Sequence, residues 1–375
     1  MSRFAHALPD VAAYVLIGLG TGVLPFFYSS ATFDPAIAPR FLLLAGLVLS
    51  LALLLAFAKR EHTDFSVLRR GIFVAALFYT LAAGLSLLPG RNLGESVFEL
   101  LKILLALVFL AMAAIVLAGK WERFMLLART MVVVAFALAT IGVCQYYSLA
   151  FNFIPGNFLV YATMANRNLF ASALFLTLPF IVFGALRFSR FWRAWSLAAL
   201  ALATFTLVIT HTRAVWLACA AAILFGIIVG MKYFRALGEE KKDYARRLRL
   251  AAVMAAAMIV LAWLAHGRQS ATDARVAGSF ARPRSSVEER WALWTKTAAM
   301  IKDHPVLGVG LGQWKVWLPL YGVEGMRSET GTIHFQRPHN DFLWVLAETG
   351  PLGLLGYCAM FVVLGVYGFR IVRAS

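Results

Sequence analysis

Residues 100–119 read Leu100-Leu-Lys-Ile-Leu-Leu-Ala-Leu-Val-Phe-Leu-Ala-Met-Ala-Ala-Ile-Val-Leu-Ala-Gly119. An α-helix rises about 1.5 Å per residue, so roughly 20 apolar residues in a row cross a hydrocarbon core of about 30 Å. The one charge in the stretch is Lys102, and Glu99 stands a turn before it, where the two side chains can pair. No polar face interrupts the run, as it would in a helix lying on a soluble core. The segment is a membrane span.

Nine more segments meet the same criterion, approximately 11–30, 38–58, 71–89, 128–149, 169–186, 194–211, 213–231, 249–266 and 351–370. The composition agrees: of 375 residues 61% are apolar and 14% charged, against about a quarter charged in ordinary soluble domains. The 30 Phe, 10 Trp and 11 Tyr suit lipid contact and interfacial aromatic belts. Disorder, collagen, coiled coil and a disulfide scaffold are excluded. Cys144, Cys219 and Cys358 all fall inside apolar runs, without metal spacing, and read as inert core thiols. Asp10 precedes the first run and no small-residue cleavage pattern follows it, so that run reads as a retained helix. The expected fold is all-α: a polytopic helical membrane protein of about ten spans, one integral domain over 1–375.

The net charge of +17 would suit a nucleic-acid binder, but in a membrane protein it is expected of loops lying against anionic headgroups. The links at 59–70, 120–129, 187–193 and 232–249 hold 4, 3, 3 and 7 Lys and Arg, and the ends add Arg3, Arg370 and Arg373. The alternate side has Arg40, Arg91, Lys102, Arg167 and Arg213 alone in its short links. Both termini are therefore expected in the cytoplasm. The long loop 267–340 then faces outward, into the periplasm of a Gram-negative cell.

That loop has a pattern of its own. Ser285 and Ser286, with Glu288 and Glu289, open an apolar-periodic stretch from Trp291 to Ile301 and predict a helix start. His304-Pro305 predicts its end. Residues 340–348 resume helical spacing before Gly350-Pro351 breaks the chain. Short helices lying on the outer membrane face are expected.

Three clusters gather at the outer ends of the helices. One is Thr210-His-Thr-Arg213-Ala-Val-Trp216; another is Ser285-Ser-Val-Glu-Glu-Arg290-Trp-Ala-Leu-Trp294. The third is Arg337-Pro-His339-Asn340, then seven residues, then Glu348-Thr-Gly350. Singly, each has an ordinary reading: an arginine at a span end snorkels to headgroups, and a histidine at a loop-helix junction caps or packs.

Together their order resembles the O-antigen ligase and polymerase superfamily. The stretch Arg290…Trp294…Asp303-His-Pro-Val-Leu-Gly-Val-Gly-Leu-Gly-Gln-Trp314 is similar to that family's long loop, as is Asn166-Arg-Asn168-Leu-Phe-Ala-Ser to the outer start of its sixth span. The motifs cover roughly 160–370. The resemblance implies glycosyl transfer on the outer face of the bacterial inner membrane. A glycan on undecaprenyl pyrophosphate moves to an acceptor hydroxyl, on lipid A-core in ligases and on another glycan in polymerases; transfer to protein is a further variant. Members commonly continue beyond the glutamate-bearing helix, so the end at Ser375 implies a short or truncated version.

The residues suit that chemistry. Arginine stays protonated and offers a planar fork matched to phosphate oxygens, so Arg213 and Arg290 can stabilise charge developing on a departing pyrophosphate. By resemblance His339 is the general base, and its unperturbed pKa of about 6.5 suits that task. Arg167 and Arg40 read either as snorkelling side chains or as further phosphate ligands, alongside Asn166 and Asn168; Asn168 can also cap the sixth span. Asn340, Glu348 and Gly350 are expected to orient the site. Asp34 and Glu95, in the first and second outer links, read either as solvated loop charges or as an accessory carboxylate of the site. No cofactor is expected and no metal, since there is no Asp-x-Asp pair and the histidines lack ligand spacing. The expected partners are the carrier-linked glycan, the acceptor and membrane lipids.

Two other classes compete. A transporter would place ionisable residues near the bilayer midplane, whereas these sit at span ends. A lipid-binding scaffold would use the same arginines but tolerate loss of His339.

Overall fold

The structure, a computed structural model, describes residues 2–32, 34–58, 64–156, 160–236, 241–277, 286–322, 324 and 335–374. Ser285 and parts of the links at 59–70 and 232–249 and of the long loop lie outside these. The described residues form twelve α-helices: α1 (Ser2–Val15), α2 (Ile37–Phe57), α3 (Gly71–Leu85), α4 (Leu93–Leu117), α5 (Trp121–Tyr146), α6 (Arg167–Arg187), α7 (Arg190–Ile209), α8 (Arg213–Ala236), α9 (Lys241–Ala277), α10 (Ser286–Asp303), α11 (Trp314–Trp317) and α12 (Asp341–Ala374). Eight helical stretches among them are long and apolar enough to cross a membrane, and Gly71–Leu85 and Arg213–Ile228 are shorter apolar helices. These ten follow the ten predicted segments in order. This is a polytopic helical membrane protein.

Boundaries differ where the apolar window and the helix are different objects. α4 begins at Leu93 and α5 at Trp121, not at 100 and 128. Backbone hydrogen bonding continues through Glu95, Glu99 and Arg123, which end the apolar run but not the helix. The Glu99–Lys102 pair forms as the spacing predicts. The first span continues from α1 through π-helical turns at Leu16–Val23 and a 3₁₀ turn at Leu24–Phe26, stopping short of the predicted residue 30. Pro25 lies in that last turn, where its missing N–H cannot extend the ladder.

The chain divides into two compact units. The first comprises 1–63 and 116–278 with the last two residues. Its core lies where α5, α6, α7 and α9 pack, through Ala135, Leu138, Ala139, Phe170, Leu174, Ala199, Ala203 and Ala262. Small residues let helices approach closely, which matters in lipid, where no hydrophobic force drives helices together. At Gly142 an added Cβ would stand 2.7 Å from the Phe170 ring. Asp10 and Arg123 tie α1 to α5 at 2.7 Å.

The second unit comprises 64–115 and 279–373. Here the long loop builds a small core of its own from Leu293 and Met300 of α10, Val309, Trp314, Leu318, Phe335 and Ala347. α10 starts within a residue of the predicted position and ends at Asp303, before His304-Pro305. Tyr321 donates to Asp303 at 3.0 Å, and burial together with that bond pushes its phenol up to about 12. The predicted break near Gly350 is a kink: Gly350 takes φ 65° and ψ −172° inside α12.

Candidate active site

In the first unit, a buried glutamine organises the loop that leads to α6. Gln145, 1% exposed, accepts from the N–H groups of Ala162 at 2.7 Å and Tyr161 at 3.2 Å. Its amide donates to the carbonyls of Ala162 at 3.0 Å and Phe151 at 3.2 Å. A buried polar group satisfied on both ends fixes its surroundings. The chain leaves this clamp toward Asn166, whose side chain accepts the Asn168 N–H at 2.8 Å and caps α6. Asn166, not Asn168, is thus the cap.

Arg167 opens α6 and Arg213 opens α8, and both are exposed. The Thr212 hydroxyl donates to the Asn168 side-chain oxygen at 3.3 Å, so these two helix starts are neighbours. Helix N-termini carry unpaired N–H groups and the positive end of the dipole, which with arginines makes an anion-binding environment. Arg40 is differently placed. Its guanidinium donates to the carbonyls of Phe27 at 2.9 Å, Pro25 at 2.9 Å and Thr163 at 2.6 Å, and contacts Met164 Sδ at 3.0 Å. It fastens α2 to the 163–164 segment.

In the second unit, Arg290 lies exposed on the first turns of α10. Trp294, one turn later on the same face, donates from Nε1 to the Pro338 carbonyl at 2.9 Å. His339 follows Pro338 directly and takes φ 59°. Phe335 meets its ring edge-on, 6.4 Å between centroids. Asn340 then caps α12, accepting from Phe342 N–H at 3.1 Å and Leu343 N–H at 3.3 Å. The structure therefore brings together the starts of α6 and α8 in the first unit, and Trp294, one turn from Arg290, with Pro338, the residue before His339, in the second.

The glycine-rich turn at 308–312 is moored to α12. Val309 N–H donates to Ala347 O at 2.8 Å and Gly310 N–H to Glu348 O at 3.1 Å. The Glu348 carboxylate, 3% exposed, accepts from Gly312 N–H and Trp314 N–H, both at 2.9 Å. Gln313 moors the other side, donating to Asn92 O at 2.8 Å and to Ser96 Oγ at 2.9 Å at the start of α4. Glu95 is not a solvated loop charge; it pairs with Lys315 at 2.6 Å. Asp34 likewise accepts the N–H groups of Ala36 at 2.9 Å and Ile37 at 2.7 Å.

Gln145, Gln313 and Trp294 were not singled out by sequence as organisers. A glutamine inside an apolar run was the available signal for Gln145, because an unpaired buried amide is costly. Among the described residues, no three or more His, Cys, Asp or Glu side chains are grouped to hold a metal ion.

Residues 198–358 match the O-antigen ligase family model. This segment, less than half of the chain, is similar to the O-antigen ligase family. The match supports glycosyl transfer of the O-antigen ligase and polymerase type in general. No curated protein matches the sequence. The matched span contains Arg213, Arg290, His339, Asn340, Glu348 and Gly350, while Arg40, Asn166, Arg167 and Asn168 lie before it.

Proposed function

We propose that the protein is an O-antigen ligase acting at the periplasmic face of the inner membrane, with both termini in the cytoplasm. The donor is a glycan on undecaprenyl pyrophosphate and the acceptor a hydroxyl of lipid A-core. The observation that carries this reading is the ligase family match, whose span includes both arginines and the histidine. The acceptor oxygen attacks the anomeric carbon and its proton passes to His339. The bond to the pyrophosphate oxygen breaks, and undecaprenyl pyrophosphate leaves. Charge grows on the leaving group, where Arg213 and Arg290 act. Arg167, beside Arg213, adds a phosphate ligand. Arg40, held by three carbonyls, serves structure instead. Neutralisation by arginine makes the reaction independent of metal, so activity should survive EDTA; rescue by magnesium after EDTA would refute this.

A deletion strain tests the acceptor. Loss of all polymer on lipid A-core, with carrier-linked polymer accumulating, identifies the ligase. Loss of chain length alone identifies a polymerase and overturns the acceptor assignment.

A further inference from the structure

His339 occupies a strained position. A φ of 59° is left-handed, and such a conformation costs a residue with a Cβ on the order of 1 kcal/mol or more. It persists when the surroundings over-determine it. On the C-terminal side the Asn340 cap fixes the chain to the first turn of α12. On the N-terminal side stands Pro338, which is buried and has no N–H. Its carbonyl is the one backbone hydrogen-bonding group it possesses, and Trp294 Nε1 takes it at 2.9 Å.

Trp294 is anchored in turn. Its neighbour Leu293 is fully buried in the loop core. One turn on, Thr297 Oγ1 accepts the Trp314 indole N–H at 3.0 Å, and the Trp314 backbone N–H is the one held by Glu348. The indole therefore joins a rigid assembly to the residue before the histidine. It lies on the face of α10 that carries Arg290.

We infer that Trp294 is a positioning residue for the transfer: by holding the Pro338 carbonyl it fixes the place of His339 relative to Arg290. The inference rests on the general-base reading of His339. A misplacement of about 1 Å at a reacting group can cost roughly 10²-fold in rate.

The test is a double-mutant cycle on the full-length protein in one detergent, with undecaprenyl-pyrophosphate-linked O-antigen as donor and lipid A-core as acceptor. Trp294→Phe keeps a ring and loses the N–H. It should lower kcat by roughly 10- to 100-fold and leave the donor KM within about 2-fold. In a His339→Ala background the same change should cost less than about 2-fold, because the group it positions is gone. Equal losses in both backgrounds, or wild-type kcat for Trp294→Phe, would overturn the inference. If Trp294→Phe does not fold, Trp294→Leu, which also lacks the N–H, replaces it, and a kcat loss that shrinks below about 2-fold in the His339→Ala background is the supporting result. Equal loss in the two backgrounds with this variant overturns the inference as before. Full turnover in His339→Ala removes the general-base reading and this inference together. Lost turnover in His339→Ala beside normal Trp294→Phe removes this inference alone.

Discussion

Glu348 and Trp314 are 34 residues apart in the chain, yet Glu348 Oε1 accepts the Trp314 backbone N–H at 2.9 Å. The other carboxylate oxygen accepts the Gly312 N–H at 2.9 Å. Both oxygens are thus engaged by the protein itself, in a side chain that is 3% exposed. Glu348 orders the glycine-rich turn against α12, which begins two residues after His339.

Replacing Glu348 by Gln should lower stability by about 1–3 kcal/mol, because an amide has one acceptor oxygen and its NH₂ would face a buried donor. Thermal unfolding in detergent, followed by tryptophan fluorescence, measures this. Turnover per folded molecule, taken well below the midpoint, should fall less than in His339→Ala. A larger fall would give Glu348 a part in the chemistry.

Gly350→Ala should be among the most damaging changes in α12. At φ 65° a side chain is strained, and the added Cβ would stand 2.2 Å from the Val306 carbonyl oxygen. The yield of detergent-stable protein is the readout, and a wild-type yield would show that the kink relaxes freely.

Arg40→Gln and Arg213→Lys should separate cleanly. The first removes a guanidinium that holds three carbonyls, so the thermal midpoint should drop while donor KM stays near wild type. The second keeps the charge but loses the two-pronged geometry, so turnover should drop while the midpoint holds. Reversed results would make Arg40 the substrate ligand.

His339→Ala should cost roughly 10²–10⁴-fold in turnover, the usual scale of a proton-transfer contribution, with binding of undecaprenyl pyrophosphate nearly intact. Arg290→Ala should weaken that binding as well. Equal binding in the two variants would remove Arg290 from the phosphate site, and full turnover in His339→Ala would favour the scaffold.

Topology is open to direct test. Val306 is 70% exposed and belongs to the loop expected outside, whereas exposed Ser189 lies in the α6–α7 turn expected in the cytoplasm. In intact cells a membrane-impermeant thiol reagent should label Val306→Cys and spare Ser189→Cys. The opposite pattern would move the whole site to the wrong side.

The ten apolar helices were legible in the sequence because the bilayer imposes one length and one polarity on every span. No tertiary contact is needed to read 100–119 as a helix. Motif order, which also survives in one dimension, is what proposes Arg213, Arg290 and His339 for the chemistry. What spacing cannot carry is a partner far away in the chain. Arg40 and Arg167 are both outer-end arginines by sequence. Only the fold gives the first to Pro25, Phe27 and Thr163, and leaves the second exposed beside the start of α8. The same holds for Trp294 at Pro338 and Glu348 at Gly312 and Trp314. A hydrogen bond depends on distances of about 3 Å between atoms, and those are decided when the loop packs its own core.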